Sequence, residues 1–136
     1  MAGIKKNSTK ALSDRGQRPV ILKKVRLVVV TGKDEGKEAL LHKSAVTIGT
    51  LGDSDLALTD PTVSRNHVVV EEKADGYLLR DLGSTNGTFL DGVKVREAYL
   101  SAGSVIRLGQ TEIAFSPVEE RIENLRSSSD RFGELV

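Results

Sequence analysis

From Val25 to Ser116 the apolar residues recur with period two or in very short continuous runs, without helical spacing. That pattern confines the stretch to short strands and leaves no helix between residues 25 and 116. Candidate strands are Val25–Val30, Glu38–Leu41, Ala45–Ile48, Leu56–Leu58, His67–Glu72, Tyr77–Asp81, Thr88–Leu90, Val93–Val95, Val105–Leu108 and Thr111–Phe115. Turn signals separate them at Thr31-Gly32, Glu35-Gly36, Asp75-Gly76, Asp91-Gly92 and Gly109-Gln110. Asp91-Gly92 favours a two-residue hairpin turn, whose central positions both need positive φ. Many short strands at close spacing indicate an all-β sandwich or barrel.

After Phe115 the pattern changes. Ser116-Pro117 leads into Glu119, Glu120 and Glu123, with Ile122 and Leu125 three apart, and Ser127-Ser128-Ser129 follows. An early proline and acids in the first turn are a helix N-terminal signature. Residues 117–127 therefore read as a short helix leaving the sandwich.

The chain's 136 residues suit one domain with a single core. It has no cysteine, which removes disulfide and thiolate chemistry. The longest apolar run, Leu27 to Val30, is too short to span a membrane, and the start lacks a secretory signal. A cytoplasmic protein with no membrane partner is expected. Residues 1–24 carry seven Lys/Arg against Asp14 alone and read as a disordered basic arm. Residues 25–116 carry ten basic and thirteen acidic residues, and Tyr77, Phe89, Tyr99 and Phe115 do not interleave with basic residues. Direct nucleic-acid binding by the sandwich is not expected.

Three polar clusters close short apolar runs: Ile48-Gly49-Thr50, Val63-Ser64-Arg65-Asn66-His67 and Gly83-Ser84-Thr85-Asn86-Gly87-Thr88. They supply hydroxyls, amides, a guanidinium and flexible backbone, which suit holding a phosphate without reacting with it. Ser64 and His67 do not form a hydrolase elbow, which requires Gly-x-Ser-x-Gly. His67 reads as a brace for the preceding loop. Only His42 and His67 are available as metal-binding histidines, and the calcium-loop pattern is missing, so no metal is expected. Asp53, Asp55 and Asp60 read as turn residues. Gly83 to Thr88 lacks the Gly-Lys-Ser/Thr ending of a nucleotide loop. Its Asn86 can hold neighbouring backbone, and Gly87 can take positive φ. Arg65, beside Ser64 in a loop, is the best candidate for direct anion contact.

In order and spacing, Gly49, the Ser64-Arg65-Asn66-His67 element and Thr85-Asn86-Gly87 resemble the forkhead-associated (FHA) domain over residues 25–116. The resemblance implies a β-sandwich of about eleven strands that binds phosphothreonine peptides with loops at one end, without catalysis or cofactor. Carried across, Ser64 would hydrogen-bond the phosphate, Arg65 would face it and Thr85 would border the phosphothreonine methyl and phosphate. Asn86 would bond the peptide main chain, and Gly49, His67 and Gly87 would support the loops. Where the family usually places Arg, this chain has Thr50. A hydrogen bond to a charged group contributes about 1.5–3 kcal/mol, so the exchange leaves a phosphate-independent interaction domain as the alternative.

Asp130 to Val136 also resembles the opening of the AAA+ ATPase domain in bacterial sigma-54-dependent transcription activators. That resemblance implies residues 117–136 are a linker helix and the start of a truncated AAA+ domain. The partner would be a phosphothreonine-containing protein or a second copy of the chain, with DNA contacted only through the full-length protein.

Overall fold

The computed structural model describes residues 20–122, which form eleven strands and no helix. In chain order they are β1 (Val20–Thr31), β2 (Glu38–Leu41), β3 (Ala45–Gly49), β4 (Leu56–Ala57), β5 (Val68–Lys73), β6 (Gly76–Asp81), β7 (Thr88–Leu90), β8 (Val93–Val95), β9 (Glu97–Leu100), β10 (Val105–Leu108) and β11 (Thr111–Ile122). They build a five-stranded sheet of order β9-β6-β5-β3-β4 and a six-stranded sheet of order β2-β1-β11-β10-β7-β8. The pair β3–β4 is parallel, whereas β5 is antiparallel to both β3 and β6. Residues 24–118 form one compact unit, distinct from a second at the chain ends. The described part of the second is the outer ends of β1 and β11.

Period-two alternation builds the core of the larger unit. Val25, Leu27 and Val29 on β1, Ile106 and Leu108 on β10, and Ile113 and Phe115 on β11 are buried. From the other sheet, Val46, Ile48, Val68, Val70 and Leu79 join the same cluster. Full burial of such a side chain is worth about 1.5–3 kcal/mol. Tyr77 meets Phe115 edge-on across the sheets, with ring centroids 5.5 Å apart.

Register decides where the loops go. Ile48 pairs with Val68, and Val68 with Asp81. The end of β3, the start of β5 and the end of β6 therefore share one rim of the sheet. All three polar clusters emerge there.

The expected strands form, and Asp91-Gly92 takes φ of 49° and 87°, the two positive values of its turn. Three expectations change. First, β1 starts at Val20, inside the expected basic arm, where Val20-Ile21-Leu22 is a short apolar run with two β-branched residues that favour the extended chain. Residues 1–19 lie outside the described residues. Second, Glu97–Leu100 is a strand. Glu and Ala favour strands poorly, but pairing of Glu97 with Arg80 and Leu100 with Tyr77 overrides that preference.

Third, residues 117–122 continue β11 rather than opening a helix, and 123–127 lie outside the described residues. The Phe115 N–H points to the Ser104 carbonyl at 2.9 Å, just before β10 begins. Two residues on, the Pro117 nitrogen faces the same flank, past the last β10 pair at Ala114–Val105. Its missing donor costs no ladder bond there.

Candidate functional site

Gly49 ends β3 where two backbones nearly touch. A Cβ built on it would lie 1.9 Å from the Arg65 carbonyl oxygen and 3.0 Å from that of Ser64. No side chain fits. The closeness lets the Thr50 N–H donate to the Ser64 carbonyl at 3.1 Å and the Leu51 N–H to that of Arg65 at 3.3 Å. The Gly49 cluster and the Ser64 cluster are thus joined through main chain alone.

His67 is fully buried and joins the second cluster to the third. The Ser64 N–H lies 3.0 Å from Nδ1, and the Gly87 carbonyl lies 2.9 Å from Nε2. A backbone N–H can only donate and a carbonyl only accept, so the ring has its proton on Nε2. Both ring nitrogens are occupied, and Nδ1 serves the Ser64 amide rather than its hydroxyl. The ring braces the loops and is not aligned as a base for Ser64.

The Ser64 hydroxyl oxygen accepts the Thr85 N–H at 3.1 Å. Its hydrogen remains for an outside acceptor. Asn86 Nδ2 donates to the Thr62 carbonyl at 2.8 Å, a second tie between loops. Arg65 is exposed, and its side chain makes no ion pair among the described residues. Thr50, Ser64, Arg65 and Thr85 line one cleft of about 650 Å³, together with Leu82 and Gly83. Asn86 and Gly87 do not line this cleft; Gly87 takes φ 87°.

Two aspartates that the sequence presents as ordinary turn and strand-end residues hold this rim. Asp60 is 3% exposed. It accepts from the Thr62 N–H and hydroxyl at 2.8 and 2.6 Å, the Thr111 hydroxyl at 2.7 Å and the Gln110 N–H at 3.2 Å. Burial pushes its carboxyl up, but bonds from Thr62, Thr111 and Gln110 outweigh that and hold it below the usual range. Gly109 lets the β10–β11 turn close on this loop, since a Cβ there would lie 2.1 Å from Thr62 Oγ1.

Asp81 shapes the third loop. Its carboxylate accepts from the Gly83 N–H (2.7 Å), Ser84 N–H (2.8 Å), Ser84 hydroxyl (2.6 Å) and Thr88 hydroxyl (2.6 Å). Burial opposes the charge, yet the bonds from Ser84, Thr88 and Gly83 hold its pKa down to about 2. The Ser84 hydroxyl oxygen in turn accepts the Gly87 N–H at 2.9 Å. The available sequence signal was the spacing Asp81-x-Gly-Ser, an Asx-turn pattern.

Residues 28–119 match the family model described as Yop-YscD_cpl, inner membrane component of the type III secretion system, cytoplasmic domain, and solved forkhead-associated domains match the same fold; the chain belongs to the forkhead-associated domain family. One such structure, from a study of phosphothreonine-dependent FHA domain interactions, is 36% identical with a TM-score of 0.62, covering 68% of this chain and 95% of that one. The FhaA FHA domain complexed with the intracellular domain of Rv3910 is 37% identical with a TM-score of 0.61, covering 67% and 98%. Among curated relatives, the FHA domain-containing protein FhaB of Mycobacterium tuberculosis is 39% identical over 92 residues, covering 67% of this chain and 59% of FhaB. The chain thus spans about three fifths of that relative's length.

Proposed function

We propose that this domain is a cytoplasmic phosphothreonine-recognition module that docks a phosphorylated protein, or a phosphothreonine on another copy, without acting on it. The carrying observation is the cleft shared by Thr50, Ser64, Arg65 and Thr85. In it a guanidinium with no ion pair among the described residues and a hydroxyl hydrogen are available beside a preorganised backbone. A phosphothreonine brings about −1.5 to −2 charges and three acceptor oxygens, which such donors match. Ser64 and Arg65 receive the phosphate, Thr50 and Thr85 border it, and the Asn86 amide oxygen takes a peptide N–H. Gly49, His67 and Gly87 hold the loops. The related structures studied for phosphothreonine-dependent interactions support this reading.

Calorimetric titration with a degenerate phosphothreonine library, and with its phosphoserine and unphosphorylated versions, tests it. Preference for phosphothreonine is expected. Equal affinity for the phosphorylated and plain libraries would refute it and favour a phosphate-independent interaction domain, the reading that Thr50 motivates.

The sigma-54-dependent activator context rests on Asp130–Val136 alone. It makes the module a regulator of a downstream AAA+ ring. The coding sequence beyond Val136 tests it: an AAA+ domain supports it, and a different domain refutes it.

A further inference from the structure

A second cleft, of about 340 Å³, is lined by Gly83, Ser84, Thr85 and Gly87 of the same loop. It shares Gly83 and Thr85 with the cleft described above and adds Lys94 and Arg96. These two cations are placed by the fold. Lys94 stands opposite Phe89 in the β7–β8 register, and its Cε would lie 3.0 Å from a Cβ built on Gly87. The Arg96 carbonyl accepts the Asp81 N–H at 2.8 Å, which ties it to the base of the same loop.

Most other described cations have partners. Arg26 pairs with Glu38, Lys43 with Asp55, and Lys73 and Arg80 with Glu71. Arg107 stacks on Phe89 at 4.0 Å. Lys94 and Arg96 make no ion pair among the described residues, and neither does Arg65. The acid lining this second cleft, Asp81, is already bound by its four donors. Unneutralised like charges beside one loop favour an incoming anion.

Building on the phosphothreonine reading, we infer that Lys94 and Arg96 form a second anion subsite, so the ligand is a phosphothreonine peptide with a further negative group beside the phosphothreonine. An Asp or Glu carboxylate and a second phosphate share the required chemistry. Arginine offers either group a bidentate fork, and lysine adds a point charge.

The test uses the full chain as wild type and as Lys94→Ala/Arg96→Ala. Each is titrated at low salt with three phosphothreonine libraries: neutral flanks, Asp/Glu flanks and a second phosphothreonine. Wild type is expected to bind one or both anionic libraries about 10-fold or more tightly than the neutral one, from two charge-assisted contacts. The double variant should lose that preference while keeping its affinity for the neutral library and its melting temperature. Added salt should shrink the preference, because both cations are exposed. The ratio between the carboxylate and diphosphate arms identifies the source of the anion. Equal binding of all three libraries by wild type, or a preference that survives the double substitution, overturns the subsite and leaves the primary reading intact. If no phosphothreonine library binds, both fall.

Discussion

Asp81→Asn tests whether one buried-facing carboxylate holds the Gly83–Gly87 loop. The substitution replaces one acceptor oxygen with an NH2, so two of the four bonds that the native carboxylate accepts between 2.6 and 2.8 Å lose their acceptor, either the Gly83 and Ser84 N–H groups at Oδ1 or the Ser84 and Thr88 hydroxyls at Oδ2. Leaving such donors unsatisfied costs about 1–3 kcal/mol each when buried. Partial exposure lowers that, so a loss of about 2–4 kcal/mol at pH 7 is expected. Linkage gives a separate estimate. The pKa falls from the ordinary 3.8 to about 2 on folding. At about 1.4 kcal/mol per unit, discounted for solvent screening, the charge contributes about 1–2 kcal/mol. A depressed folded pKa means that this contribution is full above about pH 4 and is lost as pH falls through about 2.

The assay is urea unfolding of wild type and Asp81→Asn at pH 7, 5, 3 and 2. Asp34, Asp55 and Asp60 are also held below their ordinary range, but they titrate in both proteins and cancel in the difference. The gap between the two proteins should be constant from pH 7 to 5 and narrow by about 1–2 kcal/mol toward pH 2. A gap that stays constant down to pH 2 would refute the role assigned to the carboxylate. Affinity for phosphothreonine peptide should fall with the substitution at neutral pH, since Thr85 rides on this loop.

Gly49→Ala should destabilise the domain by about 1–3 kcal/mol and weaken ligand binding, because its methyl meets the Arg65 carbonyl; denaturant midpoints and titration check both. His67→Ala should cost about 2–4 kcal/mol in the same unfolding assay by orphaning the Ser64 N–H and Gly87 carbonyl and leaving a cavity. Arg65→Ala should weaken phosphopeptide binding with stability within about 0.5 kcal/mol, whereas Ser64→Ala should also cost about 1 kcal/mol of stability, since its oxygen holds the Thr85 N–H. Thr50→Arg should raise phosphopeptide affinity by up to about 1.5–3 kcal/mol, less at high salt; calorimetry showing no gain, together with a harmless Arg65→Ala, would place neither side chain on the phosphate.

Period-two alternation lies in neighbouring residues, so the strands through Val25, Leu27 and Val29 or Ile106 and Leu108 were legible in the chain itself. So was the Asp91-Gly92 turn, whose conformation is a local preference. The three polar clusters and their order pointed to the family for the same reason. What no local pattern carries is which backbones meet. Glu97–Leu100 is a strand because β6 lies beside it, and β11 passes Pro117 because β10 has already ended. Asp60 reaches Thr111, fifty-one positions away, and Gly49 is obligatory because the Arg65 carbonyl presses against it. Lys94 and Arg96 look like any surface cations until the fold sets them beside the Gly83–Gly87 loop with no ion pair among the described residues. Secondary structure follows short-range sterics and burial period, whereas hydrogen-bond satisfaction and charge pairing depend on groups brought together only when the two sheets close.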